Sequence, residues 1–263
     1  YWLVAATLTS IIFPIKALSI MGYYLYKGEF QFVPTFTMRY PDRLEDIKNT
    51  PFIFWFLFIT CVTFGNYAAT VYIGFDPLVP IFLLHICGQL DILSKRIVNI
   101  FSDNADKKDI NEKFKQINLK LQELYRICHS IKVKYTILFE FNLKTTTFLL
   151  PLAMFQVVEG LREQRISLEF LSFCMSAILH FYLPCYYSDK LMERSENLRE
   201  AIYSCGWEKY PDNNIRKTIM IMMTRTILPL GINTIFYPIC LDTFAEMCRQ
   251  AYTIFNLMNA AWS

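Results

Sequence analysis

The sequence predicts an all-α fold: a polytopic transmembrane helical bundle whose long helices extend into an intracellular helical bundle. Three observations predict it. Of the 263 residues, 54% are hydrophobic, above the ~45–50% typical of soluble domains. The excess is concentrated in blocks without Asp, Glu, Lys or Arg: Pro51–Tyr72, Thr145–Val158 and Phe170–Ser188. The basic residues gather elsewhere, ten between Lys95 and Lys134 and seven between Lys190 and Arg225. Roughly 20 apolar residues carry a helix across the hydrocarbon core, and a chain of this length cannot bury several such helices in one soluble domain.

Five spans are read in order. The first covers Tyr1–Tyr26, interrupted by Pro14 and Lys16, and a polar loop, Lys27–Thr50, follows. The second runs from Pro51 to Ile100 through Gly74–Pro80, longer than a bilayer is thick, so its lower part must project beyond the membrane or pack on protein. After a charged linker, Ser102–Lys115, a third helix reaches from Asn118 to Val158. Its first part, Leu119–Lys134, places Leu121, Leu124, Ile127 and Ile131 at helical spacing. The turn Glu159–Arg165 leads into a fourth span, Ile166–Tyr187, and then a polar helix over Ser188–Trp207, broken by Tyr210–Asn213. A helix over Ile215–Leu228 stops before Pro229, and Leu241–Ala261 forms the last span. Because the chain starts at Tyr1 inside an apolar run, an N-terminal truncation with further spans ahead of it is expected.

Cytoplasmic loops carry the Lys/Arg excess. The two basic regions are therefore expected inside, and Lys27–Thr50, Glu159–Arg165 and the C-terminus outside. The inside segments Leu119–Lys134, Leu191–Trp207 and Ile215–Leu228 are amphipathic and suit a subunit-assembly platform or a skirt that stabilises its own chain.

Enzyme chemistry has no support. His85, His129 and His180 stand singly, without a carboxylate or Cys at ligand spacing, and HExxH, P-loop, GxGxxG and GxSxG motifs are absent. No catalytic residue, metal ligand or cofactor is expected, and no basic, aromatic-interleaved patch suggests nucleic acid. The eight scattered cysteines lack a CxxC and read as free thiols acting as small hydrophobes.

Two features carry function instead. Tyr23, Tyr24 and Tyr26, then Phe52, Phe54, Trp55, Phe56 and Phe58, enrich the outer ends of the first two spans. They suit a pocket for a small hydrophobic ligand or an aromatic belt at the membrane interface. With Phe173 and Ser176 of the fourth span, the expected ligand contacts are Tyr23, Tyr24, Trp55 and Phe58. In the last span Arg249, Thr253, Leu257 and Ala260 share a helical face, with Asn256 beside it. That face can line a pore constricted at Leu257 or bond to a neighbouring helix.

The segment CYYSDKLMERSENLREAIYSCGWEKYP (Cys185–Pro211) resembles the signature of the insect odorant receptor family, through Ser195, Leu198, Ala201, Tyr203 and Trp207. IMMTRTILPLGI (Ile221–Ile232) is similar to its next helix and turn, and YPICLDTFAEMCRQAYTIFNLM (Tyr237–Met258) to its closing helix. FDPLVPIFLLHICGQLDIL (Phe75–Leu93) looks like the lower fourth span, with Asp76, His85 and Gln89 in the family pattern. The resemblance implies seven spans with the N-terminus inside, of which the third to seventh are here. Residues 1–100 would be the third and fourth spans with extracellular loop 27–50; 101–187 the intracellular linker, fifth and sixth spans; 188–235 the anchor helices; and 236–263 the pore-lining last span. It also implies a heterotetrameric, odorant-gated, non-selective cation channel in the plasma membrane of a sensory neuron dendrite. Its expected partners are a co-receptor subunit, a small volatile hydrophobic odorant and the lipid bilayer.

Departures from the pattern refine that expectation. The short linker at Ser102–Lys115 lacks the co-receptor's long insertion, which points to a tuning subunit. Ala251-Tyr252-Thr253 replaces the usual S-Y-S or S-Y-T triplet. Arg249 is unexpected on a cation-channel face, so either it snorkels or a slight rotation turns Gln250 inward. Alternatives are a gustatory receptor, whose terminal motif is only partly present, and a G-protein-coupled receptor, which lacks its DRY and NPxxY motifs here.

Overall fold

The computed structural model describes residues 2–29, 31–36, 40–45, 47–101, 107–162, 168–210 and 212–262. Its helices are α1 (Trp2–Tyr26), α2 (Asp42–Glu45), α3 (Pro51–Phe75), α4 (Leu78–Val98), α5 (Lys107–Arg162), α6 (Leu168–Tyr203), α7 (Asn213–Arg225) and α8 (Leu241–Trp262), with a 3-10 turn at Trp207–Lys209. Among the described residues there is no strand, only an isolated bridge between Asn233 and Pro238. The all-α transmembrane bundle expected from the sequence is the observed fold.

The helix boundaries differ from the sequence reading in five places. The second predicted span is two helices, because Pro77 has no N–H to bond the carbonyl of Ile73. The third helix begins at Lys107 rather than Asn118. Its opening turns carry the Asp109–Lys113 and Glu112–Lys115 ion pairs and bury Ile110, Phe114 and Ile117. At its far end it continues to Arg162, through the first half of the predicted turn. The fourth span and the polar helix after it form one element, α6, and α7 ends three residues short of Leu228. The ends of the expected linkers at 102–106 and 163–167, and Pro211 in the expected break, lie outside the described residues. Pro14, Pro151 and Pro184 all sit within continuous helices.

The chain forms two compact units. One contains 78–147 and 181–250. Its buried residues follow alternating steps of four and three: Val79, Leu83, Ile86, Leu90, Leu93, Ile97 and Ile100 on α4 and the turn after it, and Ile110, Phe114, Ile117, Leu121, Leu124, Cys128 and Ile131 on α5. A 3.5-residue repeat keeps one seam of each helix against its neighbours. Cys128 occupies the place expected for Ile127, which is exposed. Phe181, Cys185, Leu191, Leu198 and Ile202 of α6, with Ile215, Ile219 and Met222 of α7, complete the same core.

The residues that carried the family resemblance have structural tasks here. Ser195 and Ser188 are fully buried hydroxyls that accept from the backbone N–H groups of Leu230 (3.1 Å) and Ile232 (3.3 Å). They pin the irregular segment between α7 and α8, where Gly231 leaves room for Met192. A Cβ there would lie 3.2 Å from the Met192 side chain. Trp207 donates its indole N–H to the Tyr203 carbonyl at the end of α6 (3.1 Å), and Gly206 takes the left-handed conformation (φ 87°) that ends the helix.

The other unit contains 1–77, 148–180 and 251–263. Its buried residues form two smaller clusters: Ala17, Met21, Phe54 and Phe58, and Leu150, Ala153, Cys174 and Ala251. Two helical stretches, Pro51–Val98 and Leu168–Lys209, are long and apolar enough to span a bilayer, and Ser10–Tyr26 is a shorter apolar stretch. Only 11% of the most apolar window of the first and 28% of the second is buried by protein. A soluble core helix would be mostly covered, so the exposed Phe52, Phe56, Ile59 and Phe64 require an apolar surrounding. The eight cysteines are free, six of them buried.

Ser195→Ala should destabilise the chain by about 1–3 kcal/mol, since it leaves the buried Leu230 N–H unsatisfied. Thermal melts of the detergent-solubilised receptor check this. A melting temperature equal to wild type would show that the Ser195 hydroxyl does not hold the segment.

Candidate ligand cleft and exposed face of the last helix

A cleft of about 270 Å³ opens between the predicted outer loop and the first turns of α3. Phe54, Leu57, Phe58 and Cys61 supply its helical wall, and Phe32, Pro34, Thr35, Phe36, Tyr40, Lys48 and Asn49 the loop wall. Aromatic packing holds the two together. Phe32 stacks at a tilt on Phe54 (centroids 4.6 Å apart), Phe54 on Phe58 (6.0 Å), and Trp55 meets Phe58 edge-on (5.6 Å). Apolar walls with a few polar groups are what small-molecule sites share, and this volume lies near their lower end. Among the polar groups, Lys48 pairs with Glu45, and the second Glu45 oxygen accepts from the Tyr40 N–H (3.1 Å).

The six residues expected to touch ligand fall into three groups. Phe58 lines the cleft and Trp55 packs on it. Tyr23 and Tyr24 pair with each other on α1 (6.1 Å). Phe173 packs on the cluster of Leu150, Ala153, Cys174 and Ala251, and Ser176 is half-buried three residues further along α6. Sequence reasoning missed the loop wall because Lys27–Thr50 reads as polar. Its signal was the aromatic and proline content of Phe32–Phe36 and Tyr40.

Two ionisable pairs sit in apolar helices of this unit. Lys16 of α1, read in the sequence as an interruption, pairs with Glu169 of α6, whose side chain is nearly buried. His180, which has no nearby carboxylate in the sequence, donates through Nδ1 to Oδ2 of Asp76 at 2.5 Å and meets Tyr72 edge-on. His180 is thus a hydrogen-bonded residue whose carboxylate lies 104 positions away in the chain. Neither pair includes a Cys or a second His, and no metal-binding cluster is found among the described residues.

On α8, Met247 and Ala251 are buried, while Arg249, Gln250, Thr253, Leu257 and Ala260 are all exposed along one stripe. Leu257 is 68% exposed, and Asn256 lies on the same stripe rather than beside it. Glu246 organises the start of this face. Its two oxygens accept from Arg249 Nη1 (2.9 Å) and Gln250 Nε2 (3.2 Å), so Arg249 and Gln250 point along the same side. Glu246 was not singled out in the sequence, although its i, i+3 and i+4 spacing to these two residues was the available signal.

Comparison with known proteins adds to this geometry. The family profile described as "7tm Odorant receptor" matches residues 2–252. Odorant receptor 13a of Drosophila melanogaster is 22% identical over 248 residues, covering 82% of this chain and 59% of the relative. Odorant receptor 67c of the same species is 22% identical over 247 residues, covering 93% of this chain and 58% of the relative. The chain therefore spans just under 60% of the length of these curated relatives. The insect olfactory receptor OR5 from Machilis hrabei in complex with eugenol has the same fold, with a TM-score of 0.74 at 17% identity over 99% of this chain and 64% of that one. The structure of the same receptor described without eugenol gives 0.61 at 14% identity over 98% of this chain. The relatives are receptors rather than enzymes. With a profile match over nearly its whole length and the fold of an olfactory receptor, the chain belongs to the seven-transmembrane odorant receptor family.

Proposed function

We propose that the chain is the third-to-seventh-span portion of a tuning subunit in an odorant-gated, non-selective cation channel, formed with a co-receptor and opened by a small volatile hydrophobic ligand. The observation that carries this reading is the α8 stripe. A helix that buries Met247 and Ala251 leaves Arg249, Gln250, Thr253, Leu257 and Ala260 uncovered by its own chain. Such a face needs water or other subunits around it. Leu257 would form the apolar constriction, and Glu246 offsets the charge of Arg249 at the start of the face. The solved relative's complex with eugenol supports a small aromatic ligand, and the aromatic cleft is its candidate site, with Trp55 behind the wall and Tyr23, Tyr24, Phe173 and Ser176 as outer contacts.

The charge distribution supports the orientation: basic segments inside, the loop at 27–50 and the C-terminus outside, in a plasma membrane. Residues 1–100 would hold the third and fourth spans, 101–187 the linker with the fifth and sixth, 188–235 the anchor helices and 236–263 the pore span. Met220 and Ile221 of α7 and Leu119 of α5 stay exposed on otherwise packed helices, which supports assembly through the inner segments.

Leu257→Ser should hydrate the constriction and raise basal current or alter ion permeability, with odorant potency little changed. Whole-cell recording of the full-length receptor with wild-type co-receptor tests this. Normal basal current and permeability, alongside a strong effect of Asn256→Ala, would place the pore on another part of the stripe. Trp55→Ala should shift the odorant dose–response curve by about tenfold or more, through lost support for Phe58, at unchanged surface labelling. An unmoved curve would remove this aromatic cluster from the ligand site.

A further inference from the structure

The irregular segment between α7 and α8 contains a small hairpin. Ile239 donates its N–H to the Ile232 carbonyl (2.8 Å), Asn233 and Pro238 form the isolated bridge, and the Thr234 N–H donates to the Tyr237 carbonyl (2.7 Å). The Thr234 hydroxyl accepts from the Tyr237 N–H (2.9 Å). The stem residues Ile232, Thr234 and Ile239 are buried, whereas Ile235, Phe236 and Tyr237 at the tip are 56%, 68% and 58% exposed. A turn closed by its own hydrogen bonds holds these three side chains outward, and three adjacent large apolar side chains on a fixed turn mark a contact surface.

Lysines of α5 border this hairpin. Lys144 places Nζ 5.2 Å from the Phe236 ring centroid and 2.9 Å from Glu140. Lys132 Nζ donates to the side-chain oxygen of Asn233 in the stem (3.2 Å). Lys134 is exposed, and among the described residues no carboxylate pairs with it or with Lys132. Glu140 therefore balances one lysine of three, and the surroundings of the tip stay positive. The charge-free run of α5 starts directly after Lys144, at Thr145, so Lys144 marks the inner end of the helix's apolar crossing. Just before it Val133, Ile137 and Phe141 expose an apolar face. Interface cores between proteins are depleted in Lys, whereas the headgroup zone of a bilayer takes aromatic rings and basic side chains together. We propose that this hairpin is an interfacial anchor: the Ile235-Phe236-Tyr237 tip sits in the inner leaflet of the bilayer, and Lys132 and Lys134 draw anionic phospholipid headgroups to it. Anionic lipid is concentrated in the cytoplasmic leaflet, and each lysine near that surface strengthens the attraction about fivefold. Ile239 and Cys240, buried directly after the tip, lead into α8 at Leu241, so an anchored tip fixes the depth at which the last helix starts. The proposal rests on the orientation given above, with the basic segments inside.

The test labels whatever touches the tip. The full-length receptor, assembled with its co-receptor, carries Phe236→p-benzoylphenylalanine and is reconstituted in phosphatidylcholine vesicles containing roughly one-quarter phosphatidylserine. After illumination, mass spectrometry reads the adduct. Phospholipid adducts are expected, with phosphatidylserine enriched severalfold over its share of the vesicle. Lys134→Gln, at an exposed position, should lower that enrichment, and Lys132→Gln with Lys134→Gln should remove most of it. Lys132→Arg with Lys134→Arg, which keeps both charges, should preserve it. Elution as an intact complex confirms that each variant is folded. Adducts to a neighbouring subunit in place of lipid would make the tip a subunit contact and overturn the proposal. Lipid adducts that merely follow the vesicle composition would overturn the selection by Lys132 and Lys134. Excess soluble glycerophosphoserine should leave the enrichment unchanged; its loss would assign the lysines to free phosphate esters, and the bilayer would fall as their partner. Orientation is read separately in cells, where Lys134→Cys should react with an impermeant maleimide only after permeabilisation. Labelling of intact cells would overturn the orientation and the inner-leaflet placement together. Labelling only after permeabilisation, without lipid adducts, would overturn the anchor and leave the orientation standing.

Discussion

Buried residues spaced alternately four and three apart run along α4 from Val79 to Ile100 and along α5 from Ile110 to Ile131. That register is the constraint on which the larger unit depends. An α-helix turns about 100° per residue, so once the seam is buried the direction of every other side chain on the helix is settled. The α6 seam through Phe181, Cys185, Leu191 and Leu198 carries Ser188 and Ser195 in the same phase. Their hydroxyls therefore meet the backbone of 230–232 inside the core, and the irregular segment leading to α8 is held by two hydrogen bonds to buried serine hydroxyls. Met247 then belongs to the same core. Its burial turns Arg249, Gln250, Thr253 and Leu257 away from the protein. The exposed face of the last helix is a consequence of the seam as much as of its own composition.

Periodicity made this seam legible in the sequence, but incompletely. Leu121, Leu124 and Ile131 were visible as a stripe, whereas the fourth member is Cys128, which a count of large aliphatics passes over. The stripe also begins at Ile110, inside a segment whose charges read as a linker. Those charges are Asp109–Lys113 and Glu112–Lys115 pairs on the outer side of a helix, and a charged exterior conceals an apolar interior when only composition is counted. The junction of α3 and α4 was hidden for the opposite reason. The sequence is apolar on both sides of Asp76-Pro77, and hydropathy carries no information about where the hydrogen-bond ladder breaks.

Long-range pairs were the least legible. His180 looked single because its partner is 104 positions away, and Lys16 looked like a flaw in a span because Glu169 is 153 positions away. Both become sensible once helices are packed. An ionisable side chain in an apolar surrounding is costly alone and tolerable when matched. Losing either partner exposes the other to the full penalty, so the pairs bind α1 and α3 to α6 with a specificity that aliphatic contacts lack. The loop wall of the cleft was overlooked for a related reason. Four acids and four bases between Lys27 and Lys48 mark a solvated connection, and they masked the Phe32, Phe36 and Tyr40 that close over α3.

The two units differ in how their interiors are made, and that difference bears on where a ligand can act. The larger has one continuous core drawn from α4, α5, α6, α7 and the start of α8. The other has small clusters, one around Phe54 and Phe58 and one around Leu150 and Cys174, joined to charged pairs and to aromatic rings in edge-on contact. Local stability follows the density of buried apolar contact, and regions poor in it rearrange at lower cost. The cleft lies against the Phe54 and Phe58 cluster. The side chains of that wall are tethered by few others. Aromatic rings at tilted and edge-on angles can shift against one another with little loss of contact, so the wall can adjust to different occupants. The heptad-spaced core offers no such freedom, because a shift of one side chain there disturbs every layer of the seam.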